Sequence, residues 1–142
     1  MKGRAIRRWD ISDPRQPRKA EKHFANNLTP ATPVMCADGV LITGHTGGLA
    51  QLWNAHEQTR MEAPLRGHAS DVTALALAPS GDVLATGSDD VQLWSVRTRQ
   101  MIHEPLECRG AMVTEMAFSP DGRILVTISG DWVSLDPEDP NF

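Results

Sequence analysis

Hydrophobic positions in this chain come in short bursts separated by turn residues, and the bursts repeat. Residues 83–88 (VLATGS) and 124–129 (ILVTIS) are Val/Leu/Ile/Thr-rich runs of strand length, and 40–45 (VLITGH) is a third copy. Residues 72–82 (VTALALAPSGD) match 113–123 (VTEMAFSPDGR), and both alternate large with small side chains, as a strand packed on both faces requires. Asp38-Gly39, Ser80-Gly81 and Asp121-Gly122 supply tight hairpin turns, because glycine tolerates positive φ. A second turn then leads to a strand ending in tryptophan: LAQLW at 49–53 and VQLW at 91–94. A more polar segment, 97–106, suits an outer edge strand. No segment sustains a helical period, so the pattern predicts an all-β chain of short strands.

The spacing is regular. Trp9, Trp53 and Trp94 are separated by 44 and 41 residues, and Val72 to Val113 and Thr86 to Thr127 are each 41. One unit therefore recurs about three times, at the period of ~40–45 residues that belongs to four-stranded propeller blades.

These residues also carry a family likeness. Gly67-His68, Ser88, Asp90 and Trp94 spell a GH…S-x-D…W pattern, Trp9-Asp10 is a literal WD dipeptide, and SPDG (119–122) and LATGSDD (84–90) are similar phrases. The chain thus resembles the WD-repeat β-propeller family, in its bacterial form, from about residue 4 to residue 136, most strongly over 60–96. The resemblance implies an all-β fold of four-stranded antiparallel blades, in an incomplete ring of about three. Residues 1–24 would end a preceding blade, with an orphan strand c at 4–11 and strand d at 18–24. Blade one (25–65, degenerate) would have strands near 32–36, 40–45, 49–54 and 60–65. Blade two (66–106) would have 72–78, 83–88, 91–96 and 101–106. Blade three (107–136, truncated) would have 113–119, 124–129 and 132–135, and 137–142 is an acidic, proline-rich tail.

The repeats are eroded. Blade three has Leu135 in the tryptophan position and Cys108-Arg109 in place of Gly-His. Blade one has His45 and Gly47 where the pattern has Ser and Asp. Only blade two keeps the four side chains that the family uses as a buried hydrogen-bond network: His68, Ser88, Asp90 and Trp94. Trp132 falls in the shortened turn of blade three, either exposed or replacing the missing tryptophan in packing.

Propellers close with about four to eight blades, so three leave faces and an edge uncovered. The chain reads as a fragment of a longer propeller, as a degenerate reading frame, or as half of a six-bladed ring made by two copies. In the last case the 18–24 strand would complete blade three in cis or in a partner. The fragment reading is preferred, because 4–11 looks like the end of a lost blade.

Composition changes the picture little. The chain has 142 residues with a net charge of −4, no Tyr, 3 Phe and 4 Trp. No apolar run approaches a membrane span of ~18 residues, and the basic N-terminus lacks an apolar core for a secretory signal. Two cysteines, Cys36 and Cys108, match no metal spacing and suit a reducing cytoplasm. Residues 1–22 carry a net +5 against −9 for the remainder. That arm is the basis of an alternative reading, a nucleic-acid-associated protein, which the overall negative charge makes the weaker one.

His68, Ser88 and Asp90 also invite a hydrolase reading, but a nucleophile needs a water-accessible pocket and an oxyanion hole, and no G-x-S-x-G is present. The five histidines are scattered, so no catalytic, metal or cofactor site is assigned. The expectation is a non-catalytic interaction or scaffold module. By the resemblance, the loops of one face would hold proteins or peptides through Thr46, Ser70, Asp71, Asp89, Arg109 and Met112.

Overall fold

The structure is a computed structural model that describes residues 6–19, 30–36, 38–61, 63–108 and 111–130. Those residues form four antiparallel sheets and no helix. The first pairs β1 (Trp9–Asp10) with β2 (Arg18–Lys19), Trp9 opposite Lys19. The second runs β3 (Pro30–Met35), β4 (Val40–His45), β5 (Leu49–Asn54), with β6 (Thr59–Arg60) and β7 (Leu65–Arg66) both paired to β5. The third is β8 (Ala74–Leu77), β9 (Val83–Gly87), β10 (Asp90–Ser95) and β11 (Leu106–Glu107), in chain order. The last pairs β12 (Met112–Phe118) with β13 (Leu125–Gly130). The second and third sheets are whole blades. The ring is not closed.

The first hairpin of each blade uses the same turn. Gly39, Gly81 and Gly122 have φ of 81°, 80° and 73°. Their N–H groups donate to the carbonyls of Cys36, Ala78 and Ser119 at 3.1, 2.8 and 2.9 Å. A β-carbon is disfavoured at such φ, so glycine at this place sets the register of β3 with β4, β8 with β9, and β12 with β13.

The outer strands differ from the expectation. Neither 60–65 nor 101–106 is one continuous strand. Each is split: β6 and β7 in blade one, and an isolated Met101–Trp94 bridge followed by β11 in blade two. Pro64 and Pro105 stand just before the second piece, 41 residues apart. Proline has no N–H to offer the neighbouring strand, so the ladder breaks there. Among the described residues the N-terminal strands are Trp9–Asp10 and Arg18–Lys19; residues 4–5 and 20–24 of the expected strands lie outside the described residues. The expected strand at 132–135, its Trp132 and Leu135, and the 137–142 tail lie outside the described residues.

Alternation along the strands builds the core between sheets. Leu75, Leu84 and Trp94 of blade two point to blade one and meet Ile42, Leu52 and Cys36. Ala74, Ala76, Ala85 and Val91 point the other way and meet Val113 and Met116. Leu84 and Ala85 are fully buried, each against a different neighbour, which a period of two demands. Burying a leucine completely contributes about 1.5–3 kcal/mol.

Small residues let the blades close on each other. A β-carbon on Gly44 would lie 2.8 Å from Val72 Cγ1 and 3.0 Å from the Val72 carbonyl, and one on Gly87 would lie 2.9 Å from Val113 Cγ1. The backbone is stitched at the same points: Val72 N–H donates to His45 O at 3.0 Å, and Val113 N–H to Ser88 O at 2.7 Å. In β13 the corresponding position is Ile128. Among the described residues Ile124, Val126 and Ile128 stay exposed on one face, at 60, 59 and 56 %.

Candidate functional site

Two features carry polar side chains into defined geometry: a buried chain of hydrogen bonds within each blade, and a rim of loops where neighbouring blades meet.

In blade two the indole Nε1–H of Trp94 donates to Thr86 Oγ1 at 2.9 Å, and Thr86 Oγ1 lies 2.6 Å from His68 Nε2. His68 Nδ1 lies 2.8 Å from Asp90 Oδ1. The chemistry orders the protons. A carboxylate only accepts, so Nδ1 carries the proton, and Nε2 of the neutral ring accepts from the Thr86 hydroxyl. The His68 side chain is 2 % exposed. Burial holds its pKa below the ordinary imidazole range, against the opposing pull of Asp90, and so favours this neutral form.

The hydroxyl in this chain is therefore Thr86, not the Ser88 of the sequence expectation. The cause is reach. Trp94 pairs with Leu84, and its indole leans one same-face position along β9 to Thr86. Ser88 is two residues further, roughly 6.6 Å at strand rise. Ser88 is completely buried, and His68 is committed to Thr86 and Asp90. A hydroxyl so enclosed lacks the water-accessible pocket that the hydrolase alternative requires.

Blade one solves the same problem with different residues. Trp53 Nε1–H donates to Thr43 Oγ1 at 2.8 Å, and Thr43 Oγ1 lies 2.6 Å from His45 Nε2. The imidazole here comes from β4 itself, two residues beyond the threonine on the same face. His45 had looked like an erosion of the pattern, but it supplies the ring from another position. The signal available in the sequence was Thr43 and Thr86, each ahead of a tryptophan by one hairpin.

The rim brings together most of the loop residues named from sequence. Thr46 is exposed in the β4–β5 turn. Gly47 N–H donates to Asp71 Oδ1 at 2.9 Å, which ties that turn to the entry of blade two. Ser70 Oγ donates to Asp89 Oδ2 at 3.2 Å, which ties the entry of blade two to its own β9–β10 turn. The Asp89 carboxyl is held below its usual range, first by its own backbone N–H and then by the Ser88 and Ser70 hydroxyls. Met112 begins β12, next to the Val113–Ser88 stitch. Arg109 lies outside the described residues. Asp71 and Asp89 are both exposed, so the rim presents fixed negative charge to solvent. His68, Asp89 and Asp90 could offer ligand atoms within 4.8 Å of one another. However, His68 and Asp90 are already spent on each other, and Asp89 accepts from Ser70.

Comparison with known proteins agrees with this geometry. The sequence profile of the WD domain, G-beta repeat, matches residues 59–90 and 101–133. Among solved structures, the chain is similar to the β-propeller domain of Cps50 (Swd1) from Myceliophteria thermophila. The TM-score is 0.63 at 17 % identity, over 71 % of this chain and 33 % of that one. The chain thus spans about a third of that structure, and the likeness is one of fold. No curated protein sequence matches significantly. The chain is thus similar to WD repeats over those two stretches, and its fold is that of part of a β-propeller.

Proposed function

We propose that this chain is a non-catalytic protein-interaction module that holds a basic segment of a partner protein against the loop rim. One observation carries the reading: Asp71 and Asp89 are exposed carboxylates, yet each is fixed in place by a hydrogen bond to another loop. A preoriented anion loses little freedom on binding, and one that stays ionised favours a Lys- or Arg-bearing ligand. WD-repeat propellers generally bind other proteins, which supports the class of partner. Met112 is proposed to flank the site, and Thr46 and Ser70 to line it; Arg109, expected there from sequence, lies outside the described residues. The proposed location is the cytoplasm, in keeping with two free cysteines.

The test is fluorescence anisotropy with labelled peptides of matched length that are basic, neutral or acidic. Basic peptides are expected to bind most tightly. Asp71→Asn and Asp89→Asn should each weaken binding about fivefold to tenfold, as expected for one charged contact. Equal binding of all three peptide classes, or binding untouched by both substitutions, would overturn the reading.

A further inference from the structure

The buried hydrogen-bond chain of blade two and the loop rim meet at one imidazole. His68 stands at the entry of blade two, with Ser70 and Asp71 just after it. Its Nδ1 lies 2.8 Å from Asp90 Oδ1, and ligand atoms of His68, Asp89 and Asp90 all lie within 4.8 Å of one another. Asp89 is the exposed member of the three, and its carboxylate accepts from Ser70 at 3.2 Å. The ring is buried while that carboxylate faces solvent. A charge on the ring therefore acts on the rim at short range, while the ring itself stays out of a partner's reach.

The ring can take a second proton without any heavy atom moving. Neutral His68 holds its proton on Nδ1, and Nε2 accepts from the Thr86 hydroxyl at 2.6 Å. A proton arriving at Nε2 turns that bond round. Nε2–H then donates, and Thr86 Oγ1 accepts from it as it already accepts from the Trp94 indole. The hydroxyl hydrogen needs a new acceptor, and the Gln92 carbonyl oxygen stands 3.4 Å from Thr86 Oγ1. A hydroxyl oxygen accepts two bonds while donating one, so every group in the chain stays satisfied. Asp90 and Asp89 then face an imidazolium.

We infer that His68 makes the rim proton-sensitive: its protonation offsets the charge of Asp89 and Asp90 from within and releases a basic partner segment. The link rests on the proposed binding of such a segment at Asp89. A proton on the ring and a Lys or Arg of the partner compete for the same carboxylates, so each weakens the other by the same factor. Burial holds the His68 pKa below the ordinary imidazole value of 6.5, with Asp90 and then Asp89 pulling the other way. Binding is therefore full above that pH and falls as pH drops below it. The other groups facing the ring do not produce such a slope. Asp89 is held below its usual carboxylate range, first by its own backbone N–H. Glu107 lies opposite Asp90 across β10 and β11, and Asp71 follows on the same loop as His68. Carboxyl groups as a class titrate near about pH 4. The Cys108 thiol is pushed up by burial and then by Asp90, so it stays neutral. Arg109 lies outside the described residues, and a guanidinium keeps its charge throughout. His45, whose carbonyl accepts from Val72, is the other imidazole beside the rim, and His68→Gln separates the two.

The test follows the anisotropy of a histidine-free basic peptide on the full chain from about pH 8 to about pH 5, with near-UV circular dichroism at each point. Affinity is expected to fall about fivefold across that range, the scale of coupling between linked sites. His68→Gln should bind as the parent does at the alkaline end and lose the fall. Asp89→Asn, which leaves the ring intact, should bind weakly throughout and flatten the fall as well. Nuclear magnetic resonance of the His68 ring protons reads the reciprocal effect: added peptide should move the ring's titration to lower pH. Equal binding of basic, neutral and acidic peptides at the alkaline end overturns the binding reading itself. Basic-selective binding that persists unchanged to the acid end, a fall retained in His68→Gln, or a ring titration indifferent to peptide overturns the proton link alone. So does unfolding that coincides with protonation of the ring, because the link requires a folded, protonated chain.

Discussion

Replacing Thr86 by valine tests which hydroxyl organises blade two. Valine keeps the shape and the β-branch, so strand preference and packing are nearly unchanged. What is lost is one oxygen that serves two buried groups, the Trp94 N–H at 2.9 Å and His68 Nε2 at 2.6 Å. Thr86 is 1 % exposed and Trp94 5 %, so water cannot replace it. Each stranded group costs about 1–3 kcal/mol, so Thr86→Val should cost about 2–5 kcal/mol of a total near 5–15. Ser88→Ala should cost less than about 1 kcal/mol, because its hydroxyl lies outside the chain from Trp94 to His68. Urea titration followed by near-UV circular dichroism measures both, through the shift in midpoint at unchanged slope. Thr86→Val within about 0.5 kcal/mol of the parent, or Ser88→Ala the costlier of the two, would refute the assignment of Thr86 as the hub.

Other expectations follow from the same geometry. His68 is neutral and buried, so the unfolded chain takes up a proton near the ordinary histidine pKa of about 6.5 while the folded chain resists. Stability should be full above that pH and fall as pH drops below it, and His68→Gln should flatten the dependence; an unchanged slope places the titration elsewhere. Gly87→Ala should cost about 1–3 kcal/mol by crowding Val113, and Gly44→Ala more, because its obstacle includes the Val72 backbone carbonyl, which cannot swing aside as Met116 can. Gln58→Gly and Arg99→Gly relieve left-handed φ of 57° and 58° and should raise the melting temperature slightly, whereas a fall would show that the side chains matter. Cys36 is 5 % exposed, and burial pushes its thiol pKa up. A thiol reagent should label the partly exposed Cys108 in the folded chain and reach Cys36 only on unfolding; equal rates would contradict the packing.

Much of this molecule is written in local sequence. Val, Ile and Thr runs at a two-residue period, and glycines at the first hairpin turn, name the inner strands, because both signals act within a few residues. The 41-residue spacing names the architecture, because each unit must bury its face on a like neighbour. The outer strands were less legible, since their pairing depends on which N–H groups Pro64 and Pro105 remove from an edge. The hydrogen-bond chain was read one step out of place. Spacing puts Thr86 and Ser88 on the same face of β9, and only the Trp94–Leu84 register decides which hydroxyl the indole meets. The role of His45 was invisible for the same reason: an imidazole on a strand and one on a loop reach the same point in space from unrelated positions in sequence. The tertiary structure alone showed that Asp71 and Asp89 are each held by another loop. Contacts between distant segments are set by how sheets stack, and stacking depends on every side chain in the interface at once, not on any one stretch of chain.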